Sequence, residues 1–514
     1  MSAQPISQHE APFHGGRAVR GPKTVGNRWV GLAFIGLAQL MVALDATIVS
    51  VALPSAQASL SFSPADRQWV ITAYTMAFGG LLLLGGRLAD RFGRTRTFVI
   101  GLVGFAAASA VGGAAPDFAV LVAARAVQGS LAALLAPTAL SLLAVTFTEP
   151  KERATAFAVF GGIAGSGAAI GLLLGGALTQ YLSWRWCLFV NVPVALVAAI
   201  GTLRLVPSSP PTMERLRFDF PGALLVTGAL VALVYGSVQA VAEGWDSAVI
   251  ALILGSGTLF ALFVVREATA GSPLLPLSVV LDRTRGGAFL SVLLATAGLF
   301  GAFLFITYYL QVVLGFSPLI AGVAFLPITF TTQLGAWLIA GRLMPRVPPR
   351  ALMAPGLLVA GAGMALLTQL HVGSDYLTHV LPAEALLGLG ASCAIVPAYS
   401  NATLRVQPRL AGVAAATVNA AGQVGASIGT ALLNTVAAAA TANYLAGHVT
   451  TGRLGAAAGL VHGYATAAAW GAGILVLGAL LAAALVNAPS PTAQRRELHA
   501  ASEPTGPHEQ ELTA

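Results

Sequence analysis

Two ionisable side chains lie inside long apolar stretches of this sequence. Asp45 stands within MVALDATIVSVALP and Arg125 within RAVQGSLAALLAP, where Gln128 follows on the same face of a helix. An ionisable group inside an apolar helix is costly unless it is paired or hydrated, so it indicates a functional site. Along ideal helices Asp45 lies roughly 13 Å from Pro54, and Arg125 lies roughly 12 Å from Asp117, which puts the acid and the base at nearly the same depth.

The matched depths leave two interpretations of this pair. Burial favours the neutral form of Asp45, whereas a nearby Arg125 favours its ionised form. This opposition suits a proton carrier, because exposure to one side of a membrane or the other changes the balance. The alternative is a fixed structural ion pair. Glu384, which follows THVLPA at the start of a later apolar stretch, is expected at the membrane interface.

The composition specifies the elements that must hold these groups. The chain has 514 residues, of which 56% are hydrophobic and 9% are charged, and its mean hydropathy is +0.81. Long apolar stretches recur along most of its length, so we expect an all-α polytopic membrane protein rather than a soluble globular domain. The 58 glycines and 28 prolines suit membrane helices, which pack closely and tolerate kinks.

Division of the sequence at polar and turn-rich segments gives about fourteen candidate membrane helices. They lie near residues 29–53, 68–86, 97–115, 118–140, 154–180, 187–205, 221–241, 248–265, 287–312, 318–341, 351–370, 378–400, 410–436 and 464–487. Residues 13–52 also have the basic start and apolar core of a cleavable signal peptide, but the acid within that core favours an uncleaved first helix.

The basic residues orient these helices. All but four of the 27 lysines and arginines fall on alternate connecting segments, beginning with the amino-terminal one. Of the four, Arg125 lies within a span, and Arg67, Arg185 and Arg453 lie on the opposite side. Because basic residues concentrate on the cytoplasmic side, both termini are expected in the cytoplasm. Topology therefore accounts for the net charge of +8, and no nucleic-acid partner is expected.

A short internal repeat divides the chain into two halves. The segment GGRLADRFGRTRTF is echoed by AGRLMPRVPPRALM after the second helix of each half. Secondary transporters use repeated halves of this kind to build a site at the middle of the membrane. The predicted organisation is a cytoplasmic tail, a six-helix half, a linker with two inserted helices, a second six-helix half and a second cytoplasmic tail, over residues 1–28, 29–205, 206–286, 287–487 and 488–514.

Five motifs in order resemble a known family. GGRLADRFGRTR resembles the loop signature of the major facilitator superfamily, and LDATIVSVALP, RAVQGSLAALLAP, SWRWCLFVNVP and YYLQVVLGFSPLIAGVAFLP resemble its fourteen-span drug:proton antiporter family. The resemblance covers nearly all the predicted spans. It implies a major facilitator fold and proton-driven export of drugs or antibiotics across the bacterial plasma membrane. It also implies that Asp45 and Arg125 couple protons to transport.

The resemblance assigns two further groups of residues. The loop is expected to act as a conformational latch, although a solvated positively charged loop would also explain its arginines; the latch residues are Gly86, Asp90, Arg91, Gly93 and Arg94. A row of small residues in GGIAGSGAAIGLLLGGAL is expected to act as a hinge, or simply as a helix-packing surface; the hinge residues are Gly167, Gly171, Gly175 and Gly176. The proline usual after the second glycine is Leu172 here, which puts the usual kink in doubt.

Polar side chains elsewhere in the spans are candidates for a substrate cavity, or else serve to hold helices together. They are Gln39, Gln128, Tyr308, Gln311, Gln333 and Asn419. The chain lacks the motif of a membrane enzyme, a metal centre or a phosphate loop, so we expect no catalytic activity, no cofactor and no metal. The expected partners are protons, a small amphipathic substrate and the lipid bilayer, with the protein acting as a monomer. Uptake of a sugar or other nutrient on the same fold is the alternative function.

Overall fold

The structure is a computed structural model that describes residues 25–489 except for a few internal segments. Those segments are residues 65, 148, 207–218, 243–245, 272, 276, 345, 403–405, 407–410 and 449–452. Within helices, some further side chains also lie outside the description, and that of Asp90 is among them.

The described residues form long helices joined by short connections. In chain order we label them α1 (Val25–Leu60), α2 (Trp69–Phe92), α3 (Arg94–Gly113), α4 (Phe118–Thr146), α5 (Pro150–Tyr181), α6 (Trp186–Leu205), α7 (Phe220–Ala242), α8 (Ser247–Thr269), α9 (Arg283–Val313), α10 (the consecutive pieces Pro318–Ala324, Leu326–Gly335 and Ala336–Leu343), α11 (Arg350–Leu367), α12 (Tyr376–Ala402), α13 (Ala411–Gly447) and α14 (Arg453–Leu485). A single helical turn, Leu277–Val280, precedes α9.

Every predicted apolar span falls on one of these helices. Twelve helices of the described chain are long and apolar enough to cross a membrane. In α2 and α7 the described apolar parts, Trp69–Leu82 and Phe220–Gly236, are shorter. The chain is therefore an all-helical, multi-pass membrane protein.

The two predicted halves share one packing pattern. In the first half α2 and α3 pack on α4, α1 packs on α5 and α6, and α3 packs on α6. In the second half α10 and α11 pack on α12, α9 packs on α13 and α14, and α11 packs on α14. Each of these helix pairs of the first half thus recurs in the second at the place that an internal repeat predicts.

The halves meet along two related seams. At one seam α2 packs on α13, and at the other α5 packs on α10. The inserted helix α7 packs on both α2 and α13, and α8 packs on α7. The inserted pair therefore lies across the first seam.

One buried apolar cluster joins the halves at one end of the molecule. It includes Leu53 of the first half and Phe305 of the second, and Arg67 lies at the same end, so we call it the Arg67 end. Toward the opposite end the first half has a separate cluster, which includes Phe98 and Leu142. The two halves are closed against each other at the Arg67 end.

The segment GGRLADRFGRTR is not the loop that the sequence suggested. Helix α2 continues through it to Phe92, and α3 begins at Arg94, so that Gly93 alone separates the two helices. Gly93 has a φ of 91°, a backbone conformation that costs glycine little and other residues much more. Gly86 lies within α2 rather than in a turn.

Candidate functional site

Helix α4 places Arg125 at the middle of the first half. The helix begins where Asp117 caps it, since its carboxylate accepts a hydrogen bond from the backbone N–H of Val120 at 2.9 Å. Gly129 lets α4 approach α2 closely, because a Cβ there would lie 2.9 Å from the carbonyl carbon of Tyr74. The Arg125 guanidinium consequently lies over the Tyr74 ring, 4.3 Å from its centroid.

Arg125 and Asp45 form a buried ion pair. Arg125 Nη1 lies 2.6 Å from Asp45 Oδ2, and the side chains are 2% and 0% exposed respectively. The guanidinium also donates through Nε to the carbonyl oxygen of Val70 at 3.1 Å and through Nη1 to Gln128 Oε1 at 3.1 Å. Such a pair is strongly coupled, because removal of either partner leaves an unpaired charge in the interior.

Two amides hold the other oxygen of the acid. Asn191 on α6 donates through Nδ2 to Asp45 Oδ1 at 2.8 Å, and Gln128 donates through Nε2 to the same oxygen at 3.4 Å. Both amides also donate to Ser109 Oγ on α3, at 3.4 and 2.6 Å. Arg185, which precedes α6, donates to two carbonyl oxygens at the end of α3 and just after it. These hydrogen bonds hold the start of α6 against the end of α3. Asp45 thus lies at the meeting point of α1, α3, α4 and α6.

All the described polar neighbours of Asp45 are donors, which is the arrangement expected around an ionised carboxylate. Protonation of the acid would leave one of these donors without its acceptor and would weaken the attraction to Arg125. Asn191 Oδ1 is buried and has no hydrogen-bond partner among the described residues. It is therefore an acceptor available to a protonated Asp45 after a rotation of the amide.

A central cavity of about 230 Å³ lies beside this network. Its described lining is mainly apolar and aromatic, with a few amides and hydroxyls; it consists of Gln39, Val42, Ala43, Ala46, Val49, Ile71, Tyr74, Thr75, Phe78, Arg125, Ala136, Leu140, Phe160, Phe300, Asn419 and Gln423. Residues of both halves contribute to it. Arg125 lines the cavity, whereas Asp45 lies behind the guanidinium and does not.

The predicted cavity residues are divided among several places. Gln39 and Asn419 line the central cavity, whereas Gln128 belongs to the network around the acid. Gln311 donates to the carbonyl oxygen of Val51 across the two halves at 2.9 Å. The side chain of Gln333 on α10 is exposed.

A second cavity, of about 430 Å³, lies at the Arg67 end. We call it the Arg67 cavity; its lining comprises Pro54, Gln57, Ala58, Ser61, Phe62, Pro64, Arg67, Tyr308, Val312, Leu460 and Tyr464. The predicted cavity residue Tyr308 lines this cavity and donates a hydrogen bond to Gln57 Oε1 across the halves.

Arg67, which the sequence indicated only as a loop residue, is buried between the halves. Its Nε donates to Asn434 Oδ1 at 2.7 Å, its Nη1 donates to the Tyr464 hydroxyl at 3.4 Å, and its Cζ lies 4.1 Å from the centroid of the Tyr308 ring. Asn434 in turn donates to Gln68 Oε1 at 2.6 Å. One signal for this role was available in the sequence, because Arg67 is an arginine on the side of the membrane that has few basic residues.

The small residues of α5 pack against α1. A Cβ at Gly167 would lie 2.7 Å from Ala43 Cβ, and one at Gly175 would lie 2.9 Å from the carbonyl oxygen of Ile48, with Gly171 between them facing Leu44. Gly176 instead faces α10, where a Cβ would lie 2.6 Å from the Pro318 carbonyl oxygen.

The structure also bears on Leu172 and on the residues of the expected latch. Helix α5 runs unbroken past Leu172. Arg91 lies over the Phe92 ring, 5.7 Å from its centroid, and Arg94 is the first residue of α3. The latch role of these residues stays a prediction, because the side chain of Asp90 lies outside the described part of the structure.

Glu384, which was expected at the membrane interface, is fully buried in the second half. The Tyr376 hydroxyl lies 3.4 Å from Glu384 Oε2, while Oε1 has no hydrogen-bond partner in the described chain. Tyr376 has a single hydroxyl hydrogen, which it donates to the Ala324 carbonyl oxygen at 2.7 Å. The shared tyrosine therefore fits a neutral carboxyl group that donates to the tyrosine oxygen.

Comparison with known proteins gives one consistent result. Residues 35–430 match the model of the Major Facilitator Superfamily. The puromycin resistance protein of Streptomyces alboniger is 53% identical over 473 residues, which cover 91% of this chain and 93% of that protein. The cephamycin export protein of Amycolatopsis lactamdurans is 39% identical over 408 residues, which cover 79% of this chain and 84% of that protein.

Solved structures show the same fold. A bacterial homolog of the human lysosomal transporter Spinster, in an inward-facing and unoccupied conformation, matches with a TM-score of 0.64 at 18% identity. The match covers 90% of this chain and 98% of that chain. A POT family transporter matches with a TM-score of 0.66 at 15% identity, over 93% of this chain and 99% of that chain.

Proposed function

The chain belongs to the major facilitator superfamily, and from this premise we propose that it exports amphipathic organic compounds, antibiotics among them, in exchange for protons. The observation that carries the proposal is the buried Asp45–Arg125 pair beside a cavity that both halves line. The names of the similar proteins, which concern puromycin resistance and cephamycin export, support an antibiotic as the cargo.

We propose fourteen membrane spans in the bacterial inner membrane, with both termini in the cytoplasm. The asymmetry of the basic residues supports this orientation, and it places the Arg67 end on the outer side. The protein would then be closed toward the outside in the conformation described above. Residues 206–286 would be the linker and inserted pair, and the protein would work as a monomer, with no cofactor and no catalytic activity.

The proposed coupling follows from the contacts of Asp45. When the acid is ionised, Arg125, Asn191 and Gln128 all donate to it and hold α1, α4 and α6 together. A proton on Asp45 removes the counter-ion of Arg125 and frees these donors, so the packing of the three helices changes. Because Arg125 lines the central cavity, cargo binds in the state in which Asp45 is ionised and paired, and the proton favours the other state. Alternate loading of proton and cargo then drives the halves between two orientations.

The test is transport in inverted membrane vesicles with puromycin as the probe. An imposed inside-acid gradient of two pH units should drive up to about 100-fold accumulation per exchanged proton, since each unit is worth about 1.4 kcal/mol. We expect Asp45→Asn to abolish this accumulation at unchanged protein abundance. Asp246→Asn is the matched control, because Asp246 is an exposed helix cap and asparagine caps helices as well as aspartate.

Two results would contradict the proposal. Full proton-driven accumulation by Asp45→Asn would exclude this acid as the proton carrier. Accumulation only in right-side-out vesicles would favour the alternative, proton-coupled uptake of a sugar or other nutrient. The latch formed by Asp90 and Arg91 and the hinge in α5 remain proposals of the same kind, which transport assays on their variants would test.

A further inference from the structure

The charges along the proposed path are all of one sign. Among the described residues that line the central cavity, the charged side chain is that of Arg125, and there is no acid. Among the described residues that line the Arg67 cavity, the charged side chain is that of Arg67, and there is again no acid. A compound that moves from one cavity to the other therefore passes two guanidinium groups.

Neither cavity offers a carboxylate to a positively charged cargo. Asp45 is fully buried behind Arg125, and its two oxygens are occupied by Arg125, Asn191 and Gln128. At the Arg67 end, the described polar partners of the guanidinium are the uncharged Asn434 and Tyr464. A buried ammonium group in these places would lack a counter-ion, and an unpaired buried charge is strongly unfavourable.

Aromatic rings do not remove this cost. The face of Tyr74 is already covered by the guanidinium of Arg125, and the face of Tyr308 is covered by that of Arg67. The phenylalanine rings of the central cavity offer cation–π attraction, which is weaker than the cost of an unpaired ammonium group in a buried site.

The same lining suits an uncharged compound. The amides of Gln39, Asn419 and Gln423 and the hydroxyl of Thr75 offer donors and acceptors within an apolar, aromatic wall. The Tyr74 hydroxyl is buried in this lining and has no hydrogen-bond partner among the described residues. It can donate to a carbonyl oxygen or to the lone pair of a free amine, which an ammonium group lacks.

We propose that the cargo crosses this protein in a form with no positive charge, so that a basic cargo is bound and moved as its free amine. The inference rests on the proposed export function and specifies the chemical form of its substrate. The protons exchanged for cargo are then those of Asp45 and not those of the cargo amine.

The experiment measures equilibrium binding to the purified full-length protein in lipid nanodiscs. The probes are puromycin, a derivative whose α-amino group is trimethylated and permanently charged, and a pivaloyl amide of similar bulk without charge. We expect the quaternary derivative to bind at least about tenfold more weakly than the pivaloyl amide. Equal affinities for these two derivatives would overturn the proposal.

A variant that adds a carboxylate sharpens the test. Gln39→Glu places an acid in the central cavity with little change of shape, and Gln39→Leu removes the amide without adding charge. We expect Gln39→Glu, but not Gln39→Leu, to raise the affinity for the quaternary derivative at least about tenfold. The same low affinity in both variants would overturn the explanation by charge.

Two further outcomes separate this inference from the proposed function. Saturable binding of tetraphenylphosphonium, a permanent cation, by the wild-type protein would overturn the inference without any assumption about puromycin. Binding of the amide and exclusion of both cations, together with no proton-driven transport, would support the charge selectivity and count against antiport.

Discussion

Gly171 of α5 offers a sharp test of how the acid is positioned. An alanine Cβ at this site would clash with Thr47 Oγ1, and it would lie 2.8 Å from the carbonyl oxygen and 3.2 Å from the Cα of Leu44, the residue before Asp45. Ordinary contacts begin at 3.4 Å, so even if the Thr47 side chain turns away, α1 must retreat from α5 by about 0.6 Å or the strain remains. Gly161 lies on the same helix, and a Cβ there would meet nothing within 4 Å.

The expected magnitude follows from comparison of the two alanine variants. Both substitutions gain the same helix propensity, up to about 1 kcal/mol, so this term cancels in the difference. The overpacked site loses about 1–3 kcal/mol. We therefore expect the free energy of unfolding of Gly171→Ala to be about 1–3 kcal/mol below that of Gly161→Ala. Because Leu44 adjoins Asp45, the retreat of α1 should also stretch the 2.6 Å contact with Arg125 and reduce transport.

Reversible unfolding of the purified variants in detergent, followed by tryptophan fluorescence, measures the difference in stability. Proton-driven accumulation of puromycin in inverted vesicles measures the effect on transport. Equal stability and equal accumulation for Gly171→Ala and Gly161→Ala would refute the argument that close packing of α5 on α1 positions the acid.

Three other substitutions have expected outcomes. Asn191→Leu removes a donor worth about 1.5–3 kcal/mol to a charged acceptor, so proton-driven accumulation of puromycin should fall about tenfold or more. Unchanged accumulation would argue against a role for the hydrogen bond to the acid. Asn434→Leu removes the acceptor of Arg67 Nε, so a cysteine placed in the Arg67 cavity should react faster with an externally added, membrane-impermeant maleimide. An unchanged rate would mean that this contact does not hold the end closed. Glu384→Gln should change the free energy of unfolding by less than about 1 kcal/mol. The buried carboxyl has no cationic partner among the described residues, so a neutral amide can replace it. A loss above about 3 kcal/mol would indicate that the native side chain is charged.

The depths of Asp45 and Arg125 were predictable because the rise of a helix alone sets them. Their pairing was predictable because an arginine in a span has few acids to pair with. The family fold was also predictable, since apolar length, the alternation of basic segments and five ordered motifs all point to it. Asn191 and Ser109 were not assigned to the acid, because a small polar residue in a span has the same appearance whether it holds helices together or contacts a charge.

The errors have physical causes as well. Glu384 follows closely on polar residues, which made it look interfacial, but helix α12 starts at Tyr376 and carries the carboxyl two turns inward under the cover of α10 and α11. Arg67 is buried by helices that come much later in the chain, so no local pattern reveals it. In the α2–α3 segment, charges suggested a loop although a single glycine makes the turn.

The position of α7 makes the two flanks of this pseudo-symmetric molecule different. Two related seams separate the halves, and α7 lies across the one between α2 and α13, while the described inserted helices make no comparable contact with α5 or α10. One flank is thus covered by an extra pair of helices. A compound dissolved in the bilayer would meet that pair at the α2–α13 seam but the two halves themselves at the α5–α10 seam, so we expect lateral entry to differ between the two flanks.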